Sequence, residues 1–190
     1  MNTTTLIAVI VVTALIVIAA IFFLNRKRRS QGLKQHFGSE YDRTVQQKGD
    51  PAKAEAELLS REKRVHSFSI HALSPADRER YVTEWAAVQR RFVDDPSMSV
   101  AEADTLVNRV MGARGYPMSD FEQRAADVSV SYPAVVQNYR AARDIVSRNS
   151  KGQSSTEDLR QAMVHYRSLF DELLETPKNA TTGVLHERSA

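Results

Sequence analysis

The chain has 190 residues, of which 26 are Lys or Arg, 23 are Asp or Glu and none is Cys, giving a formal charge of +3. The missing cysteine excludes disulfides, thiolate nucleophiles and cysteine-bound zinc or iron–sulfur sites. The basic excess is local: four cations sit at Arg26, Lys27, Arg28 and Arg29, and no acid precedes Ser30. The remainder is therefore close to neutral and lacks the long-range attraction to phosphate that a nucleic-acid partner requires.

After a short N-terminal segment, residues 1–5, Leu6 to Leu24 form an unbroken apolar run, LIAVIVVTALIVIAAIFFL. Such a run spans about 28 Å as a helix, close to the ~30 Å hydrocarbon core of a bilayer, and a helix satisfies its own backbone hydrogen bonds there. Residues 6–24 are thus expected to form a transmembrane helix. Cations near a span are retained on the cytoplasmic side, which places the N-terminus outside and the following domain in the cytoplasm. Arg26 to Arg29 would favour anionic lipid headgroups. The run lacks the positive leader, shorter length and small-residue cleavage site of a secretory signal. Residues 25–38 read as a basic juxtamembrane stem, in which Leu33 and Phe37 form one apolar edge able to lie on the bilayer surface.

Beyond the stem no alternating pattern argues for a strand, and residues 39–175 read as an all-α, multi-helix soluble bundle. Ser39 to Lys48 places Tyr41 and Val45 on one face before Gly49 stops it. Asp50-Pro51 opens a helix that is polar nearly all round, with Ala54, Leu58 and Val65 as its few apolar contacts, so it is expected as a surface stalk. Ser74-Pro75 opens a helix to about Val93, on which Tyr81, Trp85, Val88 and Phe92 fall on one stripe that reads as core. The pair Asp94-Asp95 before Pro96 reads as a turn, since a calcium loop needs more oxygen ligands than this segment has.

Ser97 or Ser99 is expected to cap a helix to about Ala113, with Val100, Ala103, Val107, Val110 and Met111 inward. Ser119 opens a short helix with Phe121, Ala125 and Val128 on one side. Pro133 opens another to about Ser147, with Val135, Val136, Tyr139, Ala142 and Val146 on its inner face. In the last helix, Ser155 with Asp158, or Ser154 with Glu157, forms a capping box, and Leu159, Met163, Tyr166, Phe170 and Leu173 make a heptad-like seam. That seam is expected to pack against the Trp85 helix rather than a second copy of the chain. Thr176-Pro177 halts the helix, and residues 176–190 are expected to be a disordered tail.

No catalytic constellation is legible. His36, His66, His71, His165 and His186 form no metal-ligand pattern beyond the four-residue spacing of Glu62 and His66, which near a helix end reads as interaction with the helix dipole. No nucleophile elbow or phosphate-cradling glycine loop occurs, so no cofactor, metal site or enzymatic activity is expected.

The segments Phe37-Gly38-Ser39-Glu40-Tyr41-Asp42-Arg43-Thr44-Val45, Gly49-Asp50, Ala54 to Leu58, Phe92-Val93-Asp94-Asp95-Pro96, Gly115-Tyr116-Pro117 and Ser155 to Arg160 together resemble a group of bacterial single-pass membrane-anchored or secreted helical proteins. The resemblance spans Leu33 to Leu174. It implies a small helical domain behind an N-terminal apolar segment and implies no activity. The expected role is a protein-interaction or scaffolding module at the inner face of the cell membrane, acting on a protein partner or on itself. The alternative is a ligand-binding or enzymatic domain with a pocket among Tyr81, Trp85, Tyr116 and Tyr132, to which acids or His71 would contribute.

Overall fold

The computed structural model describes the backbone of residues 3–175, and side chains from Val12 onward apart from Ala14 and Phe22. Among the described residues every regular element is helical, and eight helices form a bundle. They are α1 (Thr3–Phe37), α2 (Ser39–Lys48), α3 (Pro51–His66), α4 (Pro75–Arg91), α5 (Pro96–Ala113), α6 (Phe121–Ser131), α7 (Val136–Asn149) and α8 (Thr156–Leu174). No helix among the described residues is long and apolar enough to cross a membrane. The Leu6 to Leu24 run lies within α1, but its first side chains fall outside the described set. The expected tail, 176–190, lies outside it as well.

Helices α4 to α8 enclose the larger core. Trp85 of α4 stacks on Phe170 of α8, with ring centroids 4.6 Å apart and planes inclined by 19°. The seam of Leu159, Met163, Tyr166, Phe170 and Leu173 is buried, with α8 lying mainly on α7 and α5. Tyr81 and Val88 are buried beside Trp85, while Phe92, at the end of α4, packs on the core from a half-buried position. Two polar tips inside this core are satisfied, Tyr166 donating to Asp104 over 2.8 Å and Tyr139 to Asn108 Oδ1 over 3.1 Å, whereas the Trp85 indole N–H has no hydrogen-bond partner among the described residues. Burial, reinforced by the Asp104 carboxylate, pushes the Tyr166 hydroxyl far above its ordinary range.

A second, smaller core gathers Leu33 and Phe37 of α1, Tyr41 of α2, Leu58 and Val65 of α3 and Val130 of α6. The expected bilayer-surface edge is therefore a packed edge, since Phe37 is completely buried inside the domain. Helix α3 is likewise no stalk: Ala54, Leu58, Arg61 and Val65 are buried against α2 and α6. Its apolar stripe is narrow because an arginine completes the buried face.

Ion pairs fasten this N-terminal layer to the bundle. Glu40, fully buried, accepts from Arg61 at 2.9 Å, from Arg140 of α7 at 3.0 Å and from Gln137 at 3.0 Å. Arg61 also reaches Glu57 at 3.1 Å, and Arg140 reaches Glu122 at 2.8 Å. Nearby, Arg64 holds the buried Asp127 of α6 at 2.8 Å. Helix α6 is the shared wall, with residues 125–130 all buried between the two layers.

The helix starts follow local chemistry with three displacements, one of them at α7, which begins at Val136 without a side-chain cap and not at Pro133. Ser74 and Ser155 cap α4 and α8, the latter through a complete capping box with Asp158. Helix α5 is capped by Asp95, which accepts from the Met98 N–H at 2.9 Å, and not by Ser97 or Ser99. Helix α6 is capped by Asp120 and not Ser119. At α5 the capping carboxylate lies earlier in the chain than either serine and at α6 one residue later than Ser119, and each stands where the backbone turns into the helix.

Candidate functional site

Where the two layers meet, the ends of several elements leave a cavity of about 510 Å³. Helices α1 and α3 contribute His36, Glu62, Val65 and His66, and the α3–α4 connector contributes Phe68 and Ile70. The end of α5 supplies Arg114 and Tyr116, the α6–α7 junction supplies Val130 to Val135, and the end of α8 supplies Glu172 and Glu175. This size suits a small organic ligand.

The connector is held over the end of α5 by backbone contact. The His71 N–H donates to the Arg114 carbonyl at 3.0 Å. Gly115 has φ of +91°, and a Cβ there would collide with the Ser69 carbonyl oxygen, so only glycine admits this crossing. On the opposite wall, His36 Nε2 donates to the Val130 carbonyl at 3.0 Å.

Beside the cavity lie buried polar groups without hydrogen-bond partners among the described residues. Arg114 is fully buried, and its Nη1 donates to the last carbonyls of α8, Leu173 at 2.5 Å and Glu175 at 2.8 Å. Its Nε and Nη2 have no hydrogen-bond partner among the described residues. The Tyr116 hydroxyl interacts with Ser131 without reaching hydrogen-bond geometry. A buried donor without a partner costs roughly 1–3 kcal/mol, so such groups call for an acceptor.

The acids of the lining are unpaired as well. Among the described residues, the carboxylates of Glu62, Glu172 and Glu175 engage no hydrogen-bond or ion-pair partner, whereas most other acids of the domain pair with arginine or cap a helix. Burial pushes the Tyr132 hydroxyl up to about 12; Arg114 opposes the shift, and Tyr116, Glu172 and Glu175 add to it. A shallower groove between α4 and α5 offers a contrast, since its acids are neutralised: Glu84 by Arg109 at 2.6 Å and Glu102 by Arg91 at 2.7 Å.

The residues singled out in the sequence separate accordingly. Tyr116 and Tyr132 reach the cavity, but Tyr81 and Trp85 do not, because the space around Trp85 is filled by Phe170. A pocket at Trp85 is thereby corrected to one at Tyr132. His71 turns its Nδ1–H to the Ser69 carbonyl at 2.9 Å and stays outside the lining. Glu62 and His66 do share the wall, yet among the described residues no group of three or more His, Asp or Glu side chains is placed to hold a metal ion. Arg26, Lys27, Arg28 and Arg29 are exposed on α1, as is Leu24. Leu6 lies among the side chains that are not described.

Sequence reasoning missed Arg114, Glu172 near the end of α8 and Glu175 just past it. Nothing local marks an arginine that caps a different helix 59 residues away. Compared with protein-family models, curated proteins and solved structures, the chain matches none.

Proposed function

We propose that this protein is a single-pass membrane-anchored helical module, with its domain on the cytoplasmic face, that presents helical surfaces to a protein partner or to a second copy of itself. The observation that carries the reading is the character of α1. Val12, Leu15, Ile16, Val17, Ile18, Ile21, Phe23 and Leu24 are all more than half exposed, although the same helix buries Leu33 and Phe37 in the domain. Successive residues turn by about 100°, so these side chains surround the helix, and an apolar surface on every side needs an apolar solvent. At about 25 cal/mol per Å², leaving it in water is strongly unfavourable. Arg26 to Arg29 follow directly and supply the cytoplasmic flank, where they also suit anionic headgroups.

The test uses the absence of cysteine. Val93, 84% exposed in the turn after α4, is replaced by Cys, and intact cells are treated with a membrane-impermeant thiol reagent. The expected result is a membrane-fraction protein that labels only after permeabilisation. Labelling in intact cells reverses the orientation, and release into the soluble fraction without detergent removes the anchor.

A second reading is favoured by the cavity: a ligand-binding helical domain whose site lies at Tyr116 and Tyr132 rather than at Trp85. Its support is a 510 Å³ space lined by Val65, Phe68, Ile70 and Tyr132 together with the acids Glu62, Glu172 and Glu175.

A further inference from the structure

We infer that the cavity is a docking site for the segment of this same chain that follows α8, residues 176–190, with Val184 and Leu185 as its apolar plug and Lys178 and Arg188 as partners for the acids of the lining. The inference needs the cavity alone and neither reading of its function. The place where the described chain stops is the first observation. Glu175 is itself part of the lining. Its backbone has already left the helix, extended at φ of −74° and ψ of 156°, and Arg114 holds its carbonyl at 2.8 Å. The following segment therefore starts beside the cavity, from a pinned position.

Complementarity is the second. Phe68, Ile70 and Tyr132 line the space and are only half-buried, so they offer apolar surface that an incoming side chain can reach. Glu62 and Glu172 are half-buried and Glu175 is exposed, and Arg114 is the only Lys or Arg of the lining, which sets three carboxylates against one guanidinium. Residues 176–190 have the opposite balance, Lys178 and Arg188 against Glu187, and their only large aliphatic side chains are the adjacent Val184 and Leu185. One segment thus carries both the apolar and the cationic groups that the lining lacks. Tethering supplies the rest. The cost of closing a loop grows slowly with its length, and a short link holds its end at an effective concentration on the order of millimolar. Contacts too weak to retain a free peptide are therefore enough for a segment that begins at Glu175.

The experiment is disulfide trapping in the full-length, otherwise cysteine-free protein in detergent. One variant combines Ala134→Cys, at an exposed residue of the lining, with Thr182→Cys. The control combines Val93→Cys with Thr182→Cys; Val93 precedes α5, whose 18 residues set it about 27 Å from the end that meets the cavity. Both are oxidised in dilute solution, and closure within one chain is followed by non-reducing electrophoresis. The Ala134 pair is expected to close at least tenfold faster than the control, and adding Leu185→Asp or Glu172→Lys is expected to slow it several-fold. If the two pairs close at rates within about twofold, or Leu185→Asp has no effect, the docking is overturned while the cavity stays open to a separate ligand. If the Ala134 pair links two chains instead of closing within one, the occupant is a second copy's segment and the intramolecular assignment is overturned.

Discussion

The two layers of this protein are held by different forces. The bundle of α4 to α8 is closed by aromatic and aliphatic packing, with Trp85 on Phe170 at its centre. The N-terminal layer has only a handful of buried apolar side chains and is fastened through Glu40, Arg61, Arg140, Arg64 and Asp127. Apolar packing is permissive about orientation, whereas a buried carboxylate that must meet two guanidiniums admits one docking geometry. Its net contribution to stability is small, because desolvation offsets most of the attraction. The bundle supplies stability, and the ionic clasp supplies the angle at which α1 enters.

This contrast can be broken from either side. Trp85→Ala opens a cavity in the bundle and is expected to cost about 3–5 kcal/mol, read as a fall in the global unfolding midpoint. Loss of less than about 1 kcal/mol would separate the aromatic stack from the stability of the fold. Glu40→Ala removes the carboxylate that two buried guanidiniums share, leaving Arg61 only Glu57 and Arg140 only Glu122, and is expected to cost about 3 kcal/mol. Hydrogen exchange should place that loss in α2 and α3, with α5 and α8 still protected; uniform loss across all helices would make the two layers one cooperative unit.

A pH titration sharpens the boundary between them. The Tyr132 hydroxyl has its folded value raised by burial to about 12, above the ordinary value near 10. Its contribution is therefore complete below about pH 10 and is lost as pH rises toward 12. Tyr132→Phe is expected to flatten part of the alkaline unfolding curve measured by circular dichroism, and an unchanged curve would place that loss on other tyrosines. The smallest effect belongs to a purely local device. Ser155→Ala removes the cap of α8 and is expected to cost about 1 kcal/mol in chemical denaturation.

What was legible in the sequence was whatever is decided within one helix. The capping box at Ser155 and Asp158, the Ser74-Pro75 start and the seam from Leu159 to Leu173 depend on residues a few positions apart, and the all-helical bundle follows from them. The clasp was not legible, because Glu40 and Arg140 are 100 residues apart and each looks like an ordinary surface charge on its own helix. Helix α3 looked like a stalk for the same reason: Arg61 counts as polar until its partner is known. The cavity is assembled from the ends of elements, where periodicity stops, so the sequence grouped Tyr116 and Tyr132 with Tyr81 and Trp85 without marking which of them share a space. Asp95 and Asp120 cap α5 and α6 in place of the neighbouring serines because the N-cap is set by where the backbone turns into the helix, and more than one short polar residue lies within a few positions of each start.

The unbroken course of α1 into the domain makes the helix a ruler as well as a tether. From Leu24 to Phe37 it rises about 20 Å without a joint, at 1.5 Å per residue. The first place the chain can swivel is Gly38, whose φ of +52° suits glycine, and by then Phe37 is already locked in the domain. Whatever fixes the apolar end of α1 thereby fixes the height and tilt of the whole bundle, so a twist or piston movement applied at one end arrives at the ionic clasp and the cavity wall undamped.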